Sequence, residues 1–568
     1  MASLPNINGK FTLFSQRRTI QGHGINRPGQ IIASDNVKRS NDMPTGTNGN
    51  DTLLGTAASE YFNGLGGNDL ILTRAGNDRA YGGSGNDRVY GQDGNDTVDG
   101  GTGNDYIHGG NGNDSLVGGG GRDTIYGGAG NDRIRSSGQG VYDGQGGNDY
   151  IYAASGTPET LRGGAGVDWL NTRHWSGDYT IDMVTGATNY AGESFTQFEN
   201  LVTGAGDDRI TGTADANRIY TYDGNDTVDG GTGNDYIHGG NGNDSLVGGG
   251  GRDTIYGGAG NDVIRSSGQG VYDGQGGNDI VYAGLGTPET LRGGAGTDML
   301  DTTSFSGDYR VDLASGATNY AGESFIQFEN LRAGSGDDTL LGTNDRNVMQ
   351  GGNGDDRISG RDGNDSLYGQ NGDDYLGGGS GNDYMRGGND NDRMSGHGGN
   401  DRMYGDAGND WMAGQDGDDL LNGGLGDDTL SGGAGDDVLI GSTGRDVMTG
   451  GSGEDVFRFY STSDSPFGVS TTYDRITDFQ GAGINFTFAT EDKIDLSSID
   501  ANVNLAGNQA FVFTGTTSGG AGTIWMQDVG GETWLRVNTD SDSTPEMTVR
   551  IVDGTDTASD YWAGDFVL

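Results

Sequence analysis

The chain has 568 residues, a formal net charge of −49, 117 glycines, only 31% hydrophobic residues and no cysteine. This excludes disulfide staples, thiol catalysis and cysteine-zinc sites, and it argues against nucleic acid, whose phosphates need a basic surface. An ordinary apolar core is excluded too, because about a fifth of the chain is glycine, against roughly 7% in typical domains, and glycine has no side chain to bury, so the chain folds only if something neutralises its acidity.

Residues 1–45 come first and differ from the rest. They hold Lys10, Arg17, Arg18, Arg27, Lys38 and Arg39 against Asp35 and Asp42. They lack the apolar core of a signal peptide. The segment reads as a poorly ordered leader, with an anchor to anionic cell-surface polysaccharide as the other reading. No apolar run anywhere approaches the ~20 residues that span a bilayer.

A nine-residue clock then starts. Residues 100–108 read GGTGNDYIH, 109–117 GGNGNDSLV, 118–126 GGGGRDTIY and 127–135 GGAGNDRIR, a pattern G-G-x-G-x-D-x-U-x with U large and apolar. Such periodicity signals a stacked-repeat fold. In a first array, 46–168, the sixth-position aspartates are Asp51, Asp69, Asp78, Asp87, Asp96, Asp105, Asp114, Asp123 and Asp132. Asp149 and Asp168 keep the local motif but leave the nine-residue step. Glycine at the first, second and fourth positions permits tight left-handed turns. Aspartate supplies the hard carboxylate oxygen that calcium prefers, and turn carbonyls can complete a shell of six to eight oxygens. The U residue, such as Val89, Val98, Ile107, Leu116 or Ile125, is expected to point inward from a very short strand. Two nonapeptides make one coil of turn, strand, turn, strand.

An insert, 169–203, leads to a second array, 204–298, with Asp208, Asp226, Asp235, Asp244, Asp253, Asp262, Asp279 and Asp298. Residues 93–132 and 223–262 are identical, and the insert at 177–201 returns as a close copy at 307–331, so array plus insert is a duplicated unit. The second insert, 299–333, leads to the longest array, 334–457. Its aspartates are Asp338, Asp356, Asp365, Asp374, Asp383, Asp392, Asp401, Asp410, Asp419, Asp428, Asp437, Asp446 and Asp455. Counting a weakened second repeat at Asn347, this array has fourteen registers, hence seven coils. Glu60 and Asn217 are the matching replacements in the other arrays. Its inward residues run from Leu367 and Leu376 through Met385, Met394, Met403 and Met412 to Leu421, Leu430 and Leu439.

The inserts alternate apolar and polar residues and read as short strands, serving as spacers or caps. Asp178, Tyr179, Glu193 and Glu323 could suggest carboxylate chemistry on sugars, against a plain strand module. His174 becomes Ser304 in the second insert and is no shared ligand, and His108 and His238 read as solvent-facing.

Across 46–457 the nonapeptides resemble RTX, or hemolysin-type, calcium-binding repeats. The resemblance implies a parallel β-roll with calcium held between successive turns by the thirty-two aspartates named above. If most sites take one ion, roughly 25 Ca²⁺ bring about +50, close to cancelling the chain's −49. Extracellular calcium modules work at ~10⁻⁴–10⁻³ M, so folding is expected to wait until after export.

After Asp455 the clock stops. In 458–568, YDRITDFQ, EDKIDLSSID, GNQAFVFTG, ETWLRVNTDSD and EMTVRIVDG alternate like strands. Asp474, Ile476, Asp478, Phe479, then Asp492, Lys493, Ile494, Asp495 and Leu496, and Asn508, Ala510 and Phe511 resemble the C-terminal β domain of serralysin-type secreted proteases. The closing Asp565-Phe566-Val567-Leu568 is similar to that family's uncleaved signal, read by a type I ABC exporter of Gram-negative cells. The protease is missing, since no histidine begins an H-E-x-x-H. Residues 538–546, NTDSDSTPE, lack the glycine of an EF-hand and read as a turn.

The expectation is an all-β, non-enzymatic, secreted calcium-binding protein of the cell surface or matrix, self-associating or bound to polysaccharide. The alternatives are a secreted polysaccharide-modifying enzyme and a soluble host-interaction or toxin-like factor.

Overall fold

The computed structural model describes residues 31–33 (backbone only), 44–154, 157–284, 288–466, 473–480, 491–501, 509–530, 532–540, 542, 544–552 and 557–568. The basic side chains expected in 1–45, and Asn508, lie outside the described residues. Two compact units are present, Met1–Gly166 and Val167–Leu568. Apart from one 3-10 turn at Ala563–Asp565, every regular element among the described residues is a strand. The fold is the expected parallel β-roll.

In the first unit, alternate nonapeptides go to alternate sheets. One sheet runs through Arg88–Asp93, Tyr106–Asn111, Asp123–Ala129 and Gly140–Gly146, and the other through Arg79–Ser84, Thr97–Thr102, Ser115–Val117 and Arg133–Arg135. Pairing is parallel with an eighteen-residue register, for example Val89 beside Ile107 and Ile107 beside Ile125. One U residue per strand points between the sheets. Val89, Ile107, Leu116, Ile125 and Ile134 are fully buried, a core one residue deep.

In the second unit one parallel sheet runs from Thr180–Asp182 to Phe566–Val567, passing through both arrays. Within it Met299–Asp301 pairs with Asn330–Arg332, which pairs with Val348–Asn353, so the second insert carries the ladder onward. The partner sheet changes there. Strands on that side end at Ser324–Ile326, and a new sheet begins where Arg310–Asp312 pairs in parallel with Thr339–Leu341. The seven expected coils of the longest array are present, and the run Met385, Met394, Met403 and Met412 is fully buried.

Described strands after Asp455 continue the stack beyond the final coil. Lys493–Asp495 pairs with Val456–Arg458, and Arg475–Ile476 pairs with Val447–Ser452. An antiparallel set then follows, with Glu532–Asn538 between Thr523–Val529 and Met547–Ile551.

Candidate metal centres

Each turn is shaped by its glycines. At Gly388, φ is +129°, and a Cβ there would lie 2.1 Å from the carbonyl oxygen of Gln370 in the preceding coil. At Gly387, a Cβ would lie 2.1 Å from Asp392 Oδ2. Side-chain-free corners therefore bring carbonyl oxygens and a carboxylate oxygen into one small space.

The sixth-position carboxylates form columns along the coils. Asp374 donates its backbone N–H to Asp392 Oδ1 at 2.9 Å, Asp392 to Asp410 at 2.8 Å and Asp410 to Asp428 at 2.8 Å. Oδ1 thus ties each coil to the one before. The other oxygen has no such partner: Oδ2 of Asp374, Asp392, Asp410 and Asp428 is buried without a hydrogen bond. The same holds along Asp226, Asp244 and Asp262, and along Asp87, Asp96, Asp105 and Asp114. Asp123 differs, because Ser137 Oγ reaches its Oδ2 at 3.3 Å, and Asp51 turns its Oδ2 to Thr47. All thirty-two sequence-predicted aspartates are at most 3% exposed.

Burial, and behind it the neighbouring carboxylates, pushes Asp356, Asp392, Asp428 and Asp437 up to about 8, against the pull of one backbone N–H each. Buried carboxylates in a row, each with one unsatisfied oxygen, cannot all be ionised unless a cation sits among them. Hard oxygen donors in glycine-lined corners fit calcium.

The structure explains the residues that leave the nine-residue step. Asp262 donates to Asp279 Oδ1 and Asp279 to Asp298 Oδ1, both at 2.8 Å, so the column runs on through nonapeptides that are shortened or lengthened elsewhere. Asp298 then donates to Glu329 Oε2 at 2.8 Å. Asn347 keeps the position by other means: its Oδ1 accepts from Thr343 N at 2.7 Å, and its Nδ2 donates to the Glu329 carbonyl at 2.6 Å.

Sequence reasoning missed four rungs. Asp446 donates to Asp474 Oδ1 at 2.8 Å and Asp455 to Asp492 Oδ1 at 3.1 Å, which extends both columns into the C-terminal region. Asp474 is fully buried and its Oδ2 is unpartnered. Glu159 and Glu289 pair in register with Gly140 and Gly270, which themselves face Asp123 and Asp253. For the two glutamates the signal was present, an apolar Leu161 or Leu291 two residues on, but glutamate and a changed loop length hid it. Glu289 is satisfied without a cation, since Ser266 Oγ donates to one oxygen and Gly284 N to the other.

Glu193 and Glu323 of the inserts are buried beneath tyrosines. Tyr179 donates to Glu193 at 2.9 Å, and Tyr309 to Glu323, with Thr188 and Thr318 on the same oxygens. Asp178 is instead exposed and accepts Asp207 N at 3.0 Å. His108 and His238 are not simply solvent-facing: they are half-buried against Tyr126 and Tyr256, and burial lowers both imidazoles. Asp540, Asp542 and Glu546, in the expected turn, bring their carboxylates within 4.8 Å of one another.

Residues 45–80, 72–107, 108–139, 143–158, 202–237 and 238–269 match the RTX calcium-binding nonapeptide repeat, and residues 290–563 match the serralysin C-terminal region of M10 peptidases. The chain carries RTX calcium-binding nonapeptide repeats and a serralysin-type C-terminal region. Its RTX repeats bind several calcium ions, and its serralysin-type match takes in the longest array as well as the region after it. No curated protein matches the chain. Among solved structures it is similar to the AlgE6R3 subunit from the Azotobacter vinelandii mannuronan C5-epimerase. That match has 27% identity, covers 32% of this chain and 78% of that one, and has a TM-score of 0.19.

Proposed function

We propose that this RTX protein is a non-catalytic extracellular component that folds on calcium outside the cell and serves at the surface or in the matrix. The observation that carries this reading is the column of buried, unpartnered Oδ2 atoms, exemplified by Asp374, Asp392, Asp410 and Asp428. In it, the thirty-two sixth-position aspartates, joined by Asp474 and Asp492, hold calcium together with turn carbonyls. Calcium supplies the positive charge that lets the buried carboxylates ionise. The chain's own residues do the rest: Oδ1 fixes coil to coil, and the glycines keep the corners open.

Export by a type I exporter precedes folding in this reading, because cytosolic calcium is too low for weak extracellular-type sites. Two buried carboxylates of the inserts, Glu193 and Glu323, hold their own modules through Tyr179 and Tyr309 rather than facing an open cleft. Fractionating producing cells with and without chelator tests the surface role. Protein that sediments with cells in calcium and is released by EGTA supports it. Protein that stays free in the medium at millimolar calcium refutes the surface version and leaves a soluble secreted factor.

A further inference from the structure

Position seven and position nine of each nonapeptide flank the buried U residue and face outward. In the longest array three tyrosines meet on one outer face. Tyr384 lies between Tyr368 and Tyr404, with ring centroids 5.8 and 5.5 Å apart. All three are half-buried, so their faces are partly open. The same spacing occurs twice more. Tyr106 lies between Tyr90 and Tyr126 at 5.6 and 5.8 Å, and Tyr236 between Tyr220 and Tyr256 at 5.5 and 5.7 Å. Two residues after the central tyrosine stands His108, His238 or Arg386.

Only calcium chemistry has been assigned to these arrays, and it uses the buried carboxylates, not the outer side chains. The face of the longest array carries a groove of about 520 Å³ over Tyr368, with Gln350, Asn371 and Asn389 along it. Asn389 Nδ2 donates to Asn371 Oδ1 at 2.7 Å, and Asn371 Nδ2 to Asn353 Oδ1 at 2.8 Å, a row of amides on the exposed side. Arg386 lies in the groove, clamped to Asp406, its NH2 group 3.0 Å from Oδ1.

We infer that this groove binds a neutral glycan. The electropositive C–H edges of a pyranose ring suit the negative faces of aromatic rings. Amide side chains offer both donors and acceptors, as sugar hydroxyls require. A groove with an aromatic wall, here Tyr368, and a few convergent polar groups is the usual form of a small-ligand site. Charge selects the neutral class: the single cation is already paired with Asp406, the remaining lining is uncharged, and the chain as a whole carries −49. An anionic polymer would meet repulsion with no free cation to offset it. The site rests on the calcium reading, since the groove exists only on folded coils.

Affinity electrophoresis of the full chain in millimolar calcium, in gels containing laminarin, dextran or galactomannan, tests it, with polygalacturonate as the acidic comparison. Retardation by at least one neutral glycan is expected. Tyr368→Ala, at the groove's aromatic wall, should then weaken binding by roughly ten-fold, the cost of losing a well-placed aromatic anchor. Asn389→Ala, a change at an exposed amide, should weaken it while leaving the calcium-dependent circular dichroism untouched. No retardation by any of the three, retardation by polygalacturonate alone, or binding unchanged in both variants would overturn the inference. Loss of the calcium-dependent sheet signal in the unaltered chain would instead mark failure of the calcium reading.

Discussion

Glycine and aspartate carry opposite duties in each corner. Gly388 sits at φ +129° with a carbonyl 2.1 Å from where a Cβ would be, so Gly388→Ala meets both strain and a clash. It should cost about 2–4 kcal/mol in denaturant titrations at millimolar calcium. Gly398 has open space around its Cβ position and no positive φ, so Gly398→Ala should stay within about 0.5 kcal/mol. Glu289 gives a pH signature free of calcium. Burial lifts it from 4.5 to about 8. The folded state therefore takes up a proton, and this group's contribution is complete below the unfolded value and lost as pH rises through about 8. The stability of Glu289→Gln relative to the unaltered chain should accordingly rise between about pH 5 and about pH 9. A flat difference would show that Glu289 is not held protonated.

At the scale of the coil, each rung holds its neighbour. Asp410 accepts from Asp392 and donates to Asp428, so its loss touches coils on both sides. Asp410→Ala should lower amide-exchange protection at strands Tyr384–Asn389 and Leu420–Leu425 before it does so at Val348–Asn353, as expected when stability is a sum of nearest-neighbour terms. Uniform loss across the array would contradict that picture. The coil was also the scale at which the sequence was most readable. The repeat motif placed every U residue from Leu367 to Leu439 in the core and every named aspartate in a buried corner. It hid what departs from the clock. Glu289 follows an altered loop, and Asp474 and Asp492 lie 28 and 37 residues beyond their partners, Asp446 and Asp455. Register there is restored by strand pairing, which spacing alone does not encode. The outer tyrosine clusters were equally invisible, because their members stand in three different nonapeptides and meet only across the sheet.

For the whole molecule, charge sets the condition for folding. A net charge of −49 and a core one residue deep leave little to oppose repulsion among the columns of carboxylates. Monovalent salt screens surface charge but does not bridge buried oxygens. Sodium chloride at high concentration should therefore fail to replace calcium. The most direct measurement is circular dichroism of the full chain in EGTA and in millimolar calcium. The account predicts an unfolded spectrum in EGTA and a strong sheet signal on adding calcium, reversed by excess chelator. An unchanged sheet spectrum in EGTA would contradict it.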